Sequence, residues 1–198
     1  MALARTIRQH GAVDKHRLLL DAALDLFERR GFDGVAVPEI AKEAGVATGT
    51  VYVYFRDKEA LVNALYRHWK TVCNDMVLAP LPPGLLVRDK FTTYWQRMMA
   101  FAQNHPRAVR FMDLHHHSAY LDEESRALSG RYGSVARDFI AEAKAAGVIR
   151  DLDPIMVVAL MWGAATGLVK FAAQGALTVD VEKINDMEEA LWRAIARD

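Results

Sequence analysis

Apolar residues in this chain recur at spacings of three and four, the mark of helices with one buried face. From about residue 14 to 30, Leu19, Ala22, Ala23, Leu26 and Phe27 make such a face, and Gly31 ends it. A shorter segment starts near Val37. There Ile40, Ala41, Ala44 and Val46 are apolar, while Lys42 and Glu43 are polar. Gly45 stops it, because glycine enters a left-handed C-terminal turn without a Cβ penalty. Thr48 then reads as an N-cap, and Gly49-Thr50-Val51-Tyr52-Val53-Tyr54-Phe55 is long enough for about two more turns. Two short helices across a glycine turn make a helix-turn-helix. Its second helix carries the hydroxyls of Thr50, Tyr52 and Tyr54 and little charge, and fits a major groove about 12 Å wide.

The pattern stays helical to the end. Asp57-Lys58-Glu59 opens a long helix with the stripe Leu61, Leu65, Trp69, Val72 and Met76. Ala79-Pro80-Leu81-Pro82-Pro83-Gly84 breaks it. Five further helices follow. The first, about 87–103, carries Phe91, Trp95, Met98 and Phe101, and the second, about 105–117, has Pro106 in its first turn. The third, about 122–146, carries Leu128, Tyr132, Val135, Phe139 and Ala143. Asp153-Pro154 opens the fourth, about 153–174, as an N-cap followed by proline at the first helical position. Asp180 caps the last, about 180–197, with the stripe Ile184, Met187, Leu191 and Ile195. No useful period-2 strand pattern occurs, so the predicted class is all-α, about nine helices.

Residues 17–66 resemble the DNA-binding domain of the tetracycline-repressor (TetR) family of bacterial transcriptional regulators. The resemblance rests on Ala22, Ala23, Leu26, Phe27, Gly31, Phe32, Ile40, Ala41, Ala44, Gly45, Val46, Gly49, Thr50, Tyr52, Tyr54, Phe55, Lys58 and Leu61. The run AGVxxGTxYxYFxxKExL is its specific part, and the rest of the chain resembles the family only in length and helical character. The resemblance implies an N-terminal three-helix DNA-binding domain, residues 1–60, and a larger C-terminal ligand-binding and dimerisation domain, residues 61–198. It implies a homodimeric repressor, released from a palindromic double-stranded operator by a small-molecule effector; no cofactor is expected. Thr48, Gly49, Thr50, Tyr52, Tyr54 and Lys58 are the expected DNA-binding residues. Thr48 and Lys58 are expected on phosphates, Thr50 and Tyr52 near base edges or adjacent phosphates, and Tyr54 has a competing role beside Phe55. The chain departs from the family at Ala36, where a capping Ser or Thr is usual, and at Pro38, where some relatives carry a basic residue.

Composition changes the picture little. The 198 residues are 52% hydrophobic, which excludes a disordered chain. Lys and Arg number 25 against 25 Asp and Glu, so any basic DNA-facing surface is local. Arg5, Arg8 and His10 near the start fit either a frayed terminus or an arm that touches DNA. The single cysteine, Cys73, excludes an internal disulfide and fits a reducing cytoplasm. It reads as a small apolar residue on a helix face rather than a redox sensor. No apolar run reaches about 18 residues and no signal-type segment opens the chain, so a cytoplasmic protein without a membrane span is expected.

His115-His116-His117 invites a metal reading. Adjacent helical side chains point about 100° apart and cannot converge on one ion, so no metal site is expected. No GxSxG elbow, phosphate-cradling glycine loop or spaced ligand set points to an enzyme. A purely architectural DNA-binding protein would not need a second domain rich in Trp, Met and Phe. Met98, Phe101, Phe111, Met112, His116 and Trp162 are the expected wall of a ligand pocket, with His115 or His116 as polar contact. Such a wall suits a largely apolar ligand. The small-residue run Gly163-Ala164-Ala165-Thr166-Gly167 fits close helix approach between copies, internal packing or room for a ligand. Family architecture favours the first, with Gly163, Gly167, Leu191 and Ile195 at a dimer interface.

Overall fold

The computed structural model describes residues 2–115 and 119–197, with side chains from Lys15 onward. Among them are nine helices: α1 Ala2–Arg30, α2 Val37–Glu43, α3 Thr48–Tyr54, α4 Lys58–Val77, α5 Val87–Asn104, α6 Pro106–His115, α7 Glu123–Ala145, α8 Pro154–Ala173 and α9 Val181–Ile195. The only strand-like feature among the described residues is one antiparallel bridge, Ile149 to Ala196, which latches the end of α9 to the α7–α8 connection.

The ends of the helices follow local chemistry. Gly31, Gly45, Gly147 and Gly175 each end a helix at φ near +70°, a conformation that strains a side chain. Asp57, Asp122, Asp153 and Asp180 each accept a backbone N–H of the first turn of α4, α7, α8 and α9. Two caps differ from expectation. α3 is preceded by Ala47, so Thr48 is its first helical residue and no side chain caps the helix. α1 runs back to Ala2, so the basic N-terminal segment is helical in its backbone.

α1, α2 and α3 form the head. α4 leaves it and runs through the body, packing on α1 at one side and on α5, α6 and α7 at the others. That many neighbours bury more of α4 than one stripe: Leu61, Val62, Leu65, Tyr66, Cys73 and Val77, but also Asn63, Lys70 and Asn74. The hydrophobic core is continuous from Leu19 in the head to Ile195 at the end of the chain. The head is therefore packed onto the body, not tethered to it.

Leu191 and Ile195, expected at a dimer interface, point into their own core and are 7% and 1% exposed. The reason is periodicity: on α9 the apolar stripe Ile184, Leu191, Ile195 is the face that docks beside α5, where Trp95 Nε1 donates to the Ile184 carbonyl at 2.9 Å. The apolar surface left open lies on α8. Ile155, Met156, Leu160 and Phe171 are exposed there, with Gly163 on the same side. α8 is long and apolar enough to cross a membrane by length and composition alone, but it is packed among α5, α6, α7 and α9.

Candidate DNA-binding and effector sites

α3 presents its outward face through residues that make no structural demand. Gly49 and Val53 are exposed, Tyr52 is 54% exposed, and Thr48 and Thr50 are half-buried. A Cβ added at Gly49 would meet nothing within 4 Å, so nothing inside the chain requires glycine there. Tyr54 is different. Its ring lies 5.9 Å from His16 of α1 and 6.4 Å from Phe55, which packs it into the head.

Lys58 has two tasks. Its Nζ donates to the Phe32 carbonyl at 2.9 Å and the Val35 carbonyl at 3.0 Å, and lies 4.0 Å over the Phe32 ring. An ammonium has three donors, so one remains. Lys58 and Tyr52 share an open depression with the start of α2, residues 33–39. Thr48, Gly49 and Thr50 line α3 outside it. Ala36 precedes α2 and cannot cap it with a side chain. Glu39 supplies half the usual box by accepting the Ala36 N–H at 2.9 Å, and Arg30 pairs with it at 2.9 Å. Those contacts hold the Glu39 carboxyl below its ordinary range, the Ala36 N–H first and Arg30 second.

Head and body meet at an aromatic and polar junction. Phe32 stacks on Tyr120 with ring centroids 4.1 Å apart, and Phe27 faces Phe111 at 6.4 Å. His115 is 1% exposed, lies 4.5 Å from the Phe111 ring, and hydrogen-bonds Tyr120 through Nδ1. Burial pushes its pKa down to about 4. Two ion pairs one turn apart, Arg107–Asp25 and Arg110–Glu28, clamp α6 to α1. Asn63 pins the start of α7. Its Nδ2 donates to the Tyr120 carbonyl, and its Oδ1 accepts from the Asp122 N–H and the Ser125 hydroxyl, all at 2.8 Å.

An apolar cleft opens between α4, α5, α7 and α8. Phe91, Met98, Tyr132, Phe139, Val157 and Met161 are among its walls. Its enclosed volume is about 50 Å³, and about 470 Å³ with its open mouth. Ligand pockets hold roughly 300–1,000 Å³, so the enclosed part is small, and Met98 and Met161 are the unbranched, most readily moved side chains in its wall.

Of the expected pocket residues, Met98 lines this cleft. Phe101, Phe111 and Met112 do not: they are fully enclosed in the core, Phe111 at the head–body junction. Bulky side chains at helical spacing fill interiors first, and that is their role here. Trp162 stands next to the cleft, 6.5 Å from Tyr132, and His116 lies outside the described residues. His115, the other expected polar contact, belongs to the junction. Cleft residues that the pocket expectation passed over, Tyr132, Val135 and Phe139 on α7 and Val157 and Met161 on α8, sit at three- and four-residue spacing. Among the described residues no group of three or more His, Cys, Asp or Glu is placed to hold a metal ion.

A helix-turn-helix head packed through one long helix onto an all-α body is the architecture of a DNA-binding regulator. Comparison with known proteins is specific. The family described as "Bacterial regulatory proteins, tetR family" matches residues 19–65, and "Tetracyclin repressor-like, C-terminal domain" matches residues 73–197. The chain belongs to the TetR family of transcriptional regulators and carries its DNA-binding helix-turn-helix. It is 28% identical to the HTH-type transcriptional regulator RutR of Escherichia coli (strain K12), over 95% of this chain and 92% of that protein. Matches to YuxN and to the fatty acid metabolism regulator protein, both of Bacillus subtilis (strain 168), are 38% and 40% identical but cover only 19% and 27% of those proteins' lengths. Among solved structures, a TetR family transcription regulator from Marinobacter aquaeolei VT8 superposes with a TM-score of 0.84 at 24% identity, covering 96% of this chain and 100% of that one.

Proposed function

We propose that this chain is a homodimeric repressor, released from a palindromic operator when a small, largely apolar ligand enters the cleft. We divide it at residue 60, with the DNA-binding head before and the ligand-binding and dimerisation body after. The observation that carries the reading is the course of α4. It begins at Lys58, which holds the α1–α2 loop of the head, and ends at Val77 in the cleft wall. A ligand that forces the cleft open moves that helix. Release of DNA requires that the ligand bind the opened form more tightly, and each tenfold loss of operator affinity needs about 1.4 kcal/mol of difference.

Thr48, Gly49 and Thr50 meet DNA from the start of α3, with Tyr52 beside them. The bare Gly49 surface lets the backbone approach a phosphate. Lys58 contributes its free N–H to a phosphate while holding the head together. Tyr54 acts mainly by positioning α3. The second copy docks on the exposed α8 stripe of Met156, Leu160, Gly163, Gly167 and Phe171. The half-site centres then lie about one helical turn of DNA apart, or a multiple of it. Like its target DNA, the protein works in the cytoplasm. The test is to select an operator from random or genomic DNA, and to screen apolar compounds for loss of binding by fluorescence anisotropy. A selected sequence without two-fold symmetry argues against the dimeric reading, and no releasing compound argues against the effector reading.

A further inference from the structure

Lys70 lies midway along α4, on the stripe Tyr66, Lys70, Cys73, Val77, and only 8% of it is exposed. Its ammonium sits 4.7 Å over the ring of Tyr132 from α7 and 5.3 Å over that of Trp162 from α8. Among the described residues no carboxylate pairs with it and no hydrogen-bond acceptor takes its protons. Lysine is almost never buried without a partner, because its three donors lose their water. Here two aromatic faces flank the ammonium, and Nζ itself still reaches solvent at the end of a buried stem: among the described residues the fully buried unpaired side-chain atoms are Asn74 Oδ1 and His115 Nε2. Burial accordingly lowers its pKa, with Cys73 acting in the opposite direction.

A buried unsatisfied group stands one turn further on. Asn74 Nδ2 donates to the Leu128 carbonyl at 3.1 Å, while its buried Oδ1 has no hydrogen-bond partner. Tyr132 joins this polar strip to the cleft. Its hydroxyl is 2.9 Å from Cys73 Sγ, its ring faces Lys70, and it also walls the apolar space beside Met98 and Met161. Lys70 therefore lies behind one wall of a hydrocarbon and aromatic cleft, with the Tyr132 ring between them.

We propose that the effector is an apolar monocarboxylate: its hydrocarbon or aromatic tail fills the cleft, and its carboxylate takes the Lys70 ammonium beside Tyr132. This rests on the reading of the cleft as the effector site, and adds the ligand's charge to it. A neutral molecule of the same shape leaves Lys70 with its donors open and binds more weakly. A dianion exceeds the single cation available. Because Lys70 and Lys58 belong to one helix, a carboxylate that draws the ammonium from between Tyr132 and Trp162 acts on the element that holds the head.

The test is calorimetric titration of the full chain with matched pairs, octanoate against octan-1-ol and 4-phenylbutyrate against 4-phenylbutan-1-ol. The parent protein, Lys70→Met, Lys70→Arg and Met98→Trp are compared, and each is melted. The carboxylates are expected to bind at least tenfold more tightly than the alcohols. Lys70→Met should erase that preference while still binding the alcohols, Lys70→Arg should keep part of it, and Lys70→Met should melt no lower than the parent. Alcohol binding equal to carboxylate binding in the parent, or a preference that survives Lys70→Met, overturns the proposal. So does a Lys70→Met protein that melts well below the parent, since the ammonium is then a structural part of the aromatic stack. In the first two cases, binding that Met98→Trp abolishes leaves the cleft standing as an effector site. If neither compound of either pair binds, both readings fall.

Discussion

Asn63→Ala is the change with the largest consequence at the head–body junction. Asn63 is 3% exposed, and its amide answers three groups at the start of α7: the Tyr120 carbonyl, the Asp122 N–H and the Ser125 hydroxyl. Truncation leaves all three without that partner. A buried polar group stripped of its hydrogen bond costs about 1–3 kcal/mol. The Ser125 hydroxyl retains a contact with Arg67 at 3.3 Å, so the two backbone groups dominate. Together they give an expected loss of roughly 2–6 kcal/mol. The assay is urea unfolding followed by far-ultraviolet circular dichroism, at one fixed protein concentration because the stability of a self-associating chain depends on it. The m-value should be unchanged. A loss below about 1 kcal/mol would mean that water replaces the amide, and that the junction is not held as described. Asn63→Asp is a useful companion: it keeps the acceptor but sets a carboxylate against the Tyr120 carbonyl, and should cost at least as much.

Three further outcomes are expected. Lys58→Ala should weaken binding to all DNA sequences and flatten the logarithmic salt dependence by roughly one unit. It should also lower the melting temperature, because the Phe32 and Val35 carbonyls lose their donor; an unchanged salt slope would remove Lys58 from the phosphate contacts. His115 is held neutral in the folded chain to about pH 4, against an ordinary value of 6.5, so the unfolded chain takes up the proton first as pH falls. Its contribution is therefore full above about pH 6.5 and is lost toward pH 4, about 2 kcal/mol of it between pH 7 and pH 5. His115→Phe should reduce that slope in denaturant titrations, and an equal slope would show that other groups set it. On α8, Leu160→Arg with Phe171→Arg changes two exposed side chains, so the monomer should stay folded while sedimentation shows loss of the dimer and operator binding falls. A dimer that persists places the interface elsewhere.

What the sequence showed, and what it hid, divides along physical lines. Helix ends that rest on a single residue's chemistry were legible: Gly31 and Gly45 as stops, Asp153 and Asp180 as caps, Pro154 in a first turn. Thr48 misled because the polypeptide turns one residue earlier, at Ala47, which has no side chain to announce a cap. The α4 stripe was readable as far as Leu65. Beyond it the periodicity of Leu61, Leu65, Trp69, Val72 and Met76 gave one face, whereas a helix with neighbours on several sides also buries Asn63, Lys70 and Asn74. Polar residues carry no hydrophobic signal, although a lysine within Tyr66, Lys70, Cys73 and Val77 breaks a three-four stripe and is visible once that register is chosen. The same limit separated core from cleft: Phe101, Phe111 and Met98 are alike in sequence, and only the packing of α5 on its neighbours leaves Met98 beside open space. On α9 and α8 an apolar face could serve its own core or a second copy. Leu191 and Ile195 serve the core, and the open face is on α8.

Occupancy of the cleft and binding of DNA are expected to oppose each other through α4. The most direct measurement is a closed thermodynamic cycle on one compound: operator affinity by fluorescence anisotropy with and without saturating compound, and compound affinity by calorimetry with and without saturating operator. Linkage requires the two factors to be equal. Both affinities should fall by the same factor, tenfold or more, and Met98→Trp, which fills the cleft, should abolish the effect of the compound. A compound that binds in the cleft and leaves operator affinity unchanged would contradict that opposition.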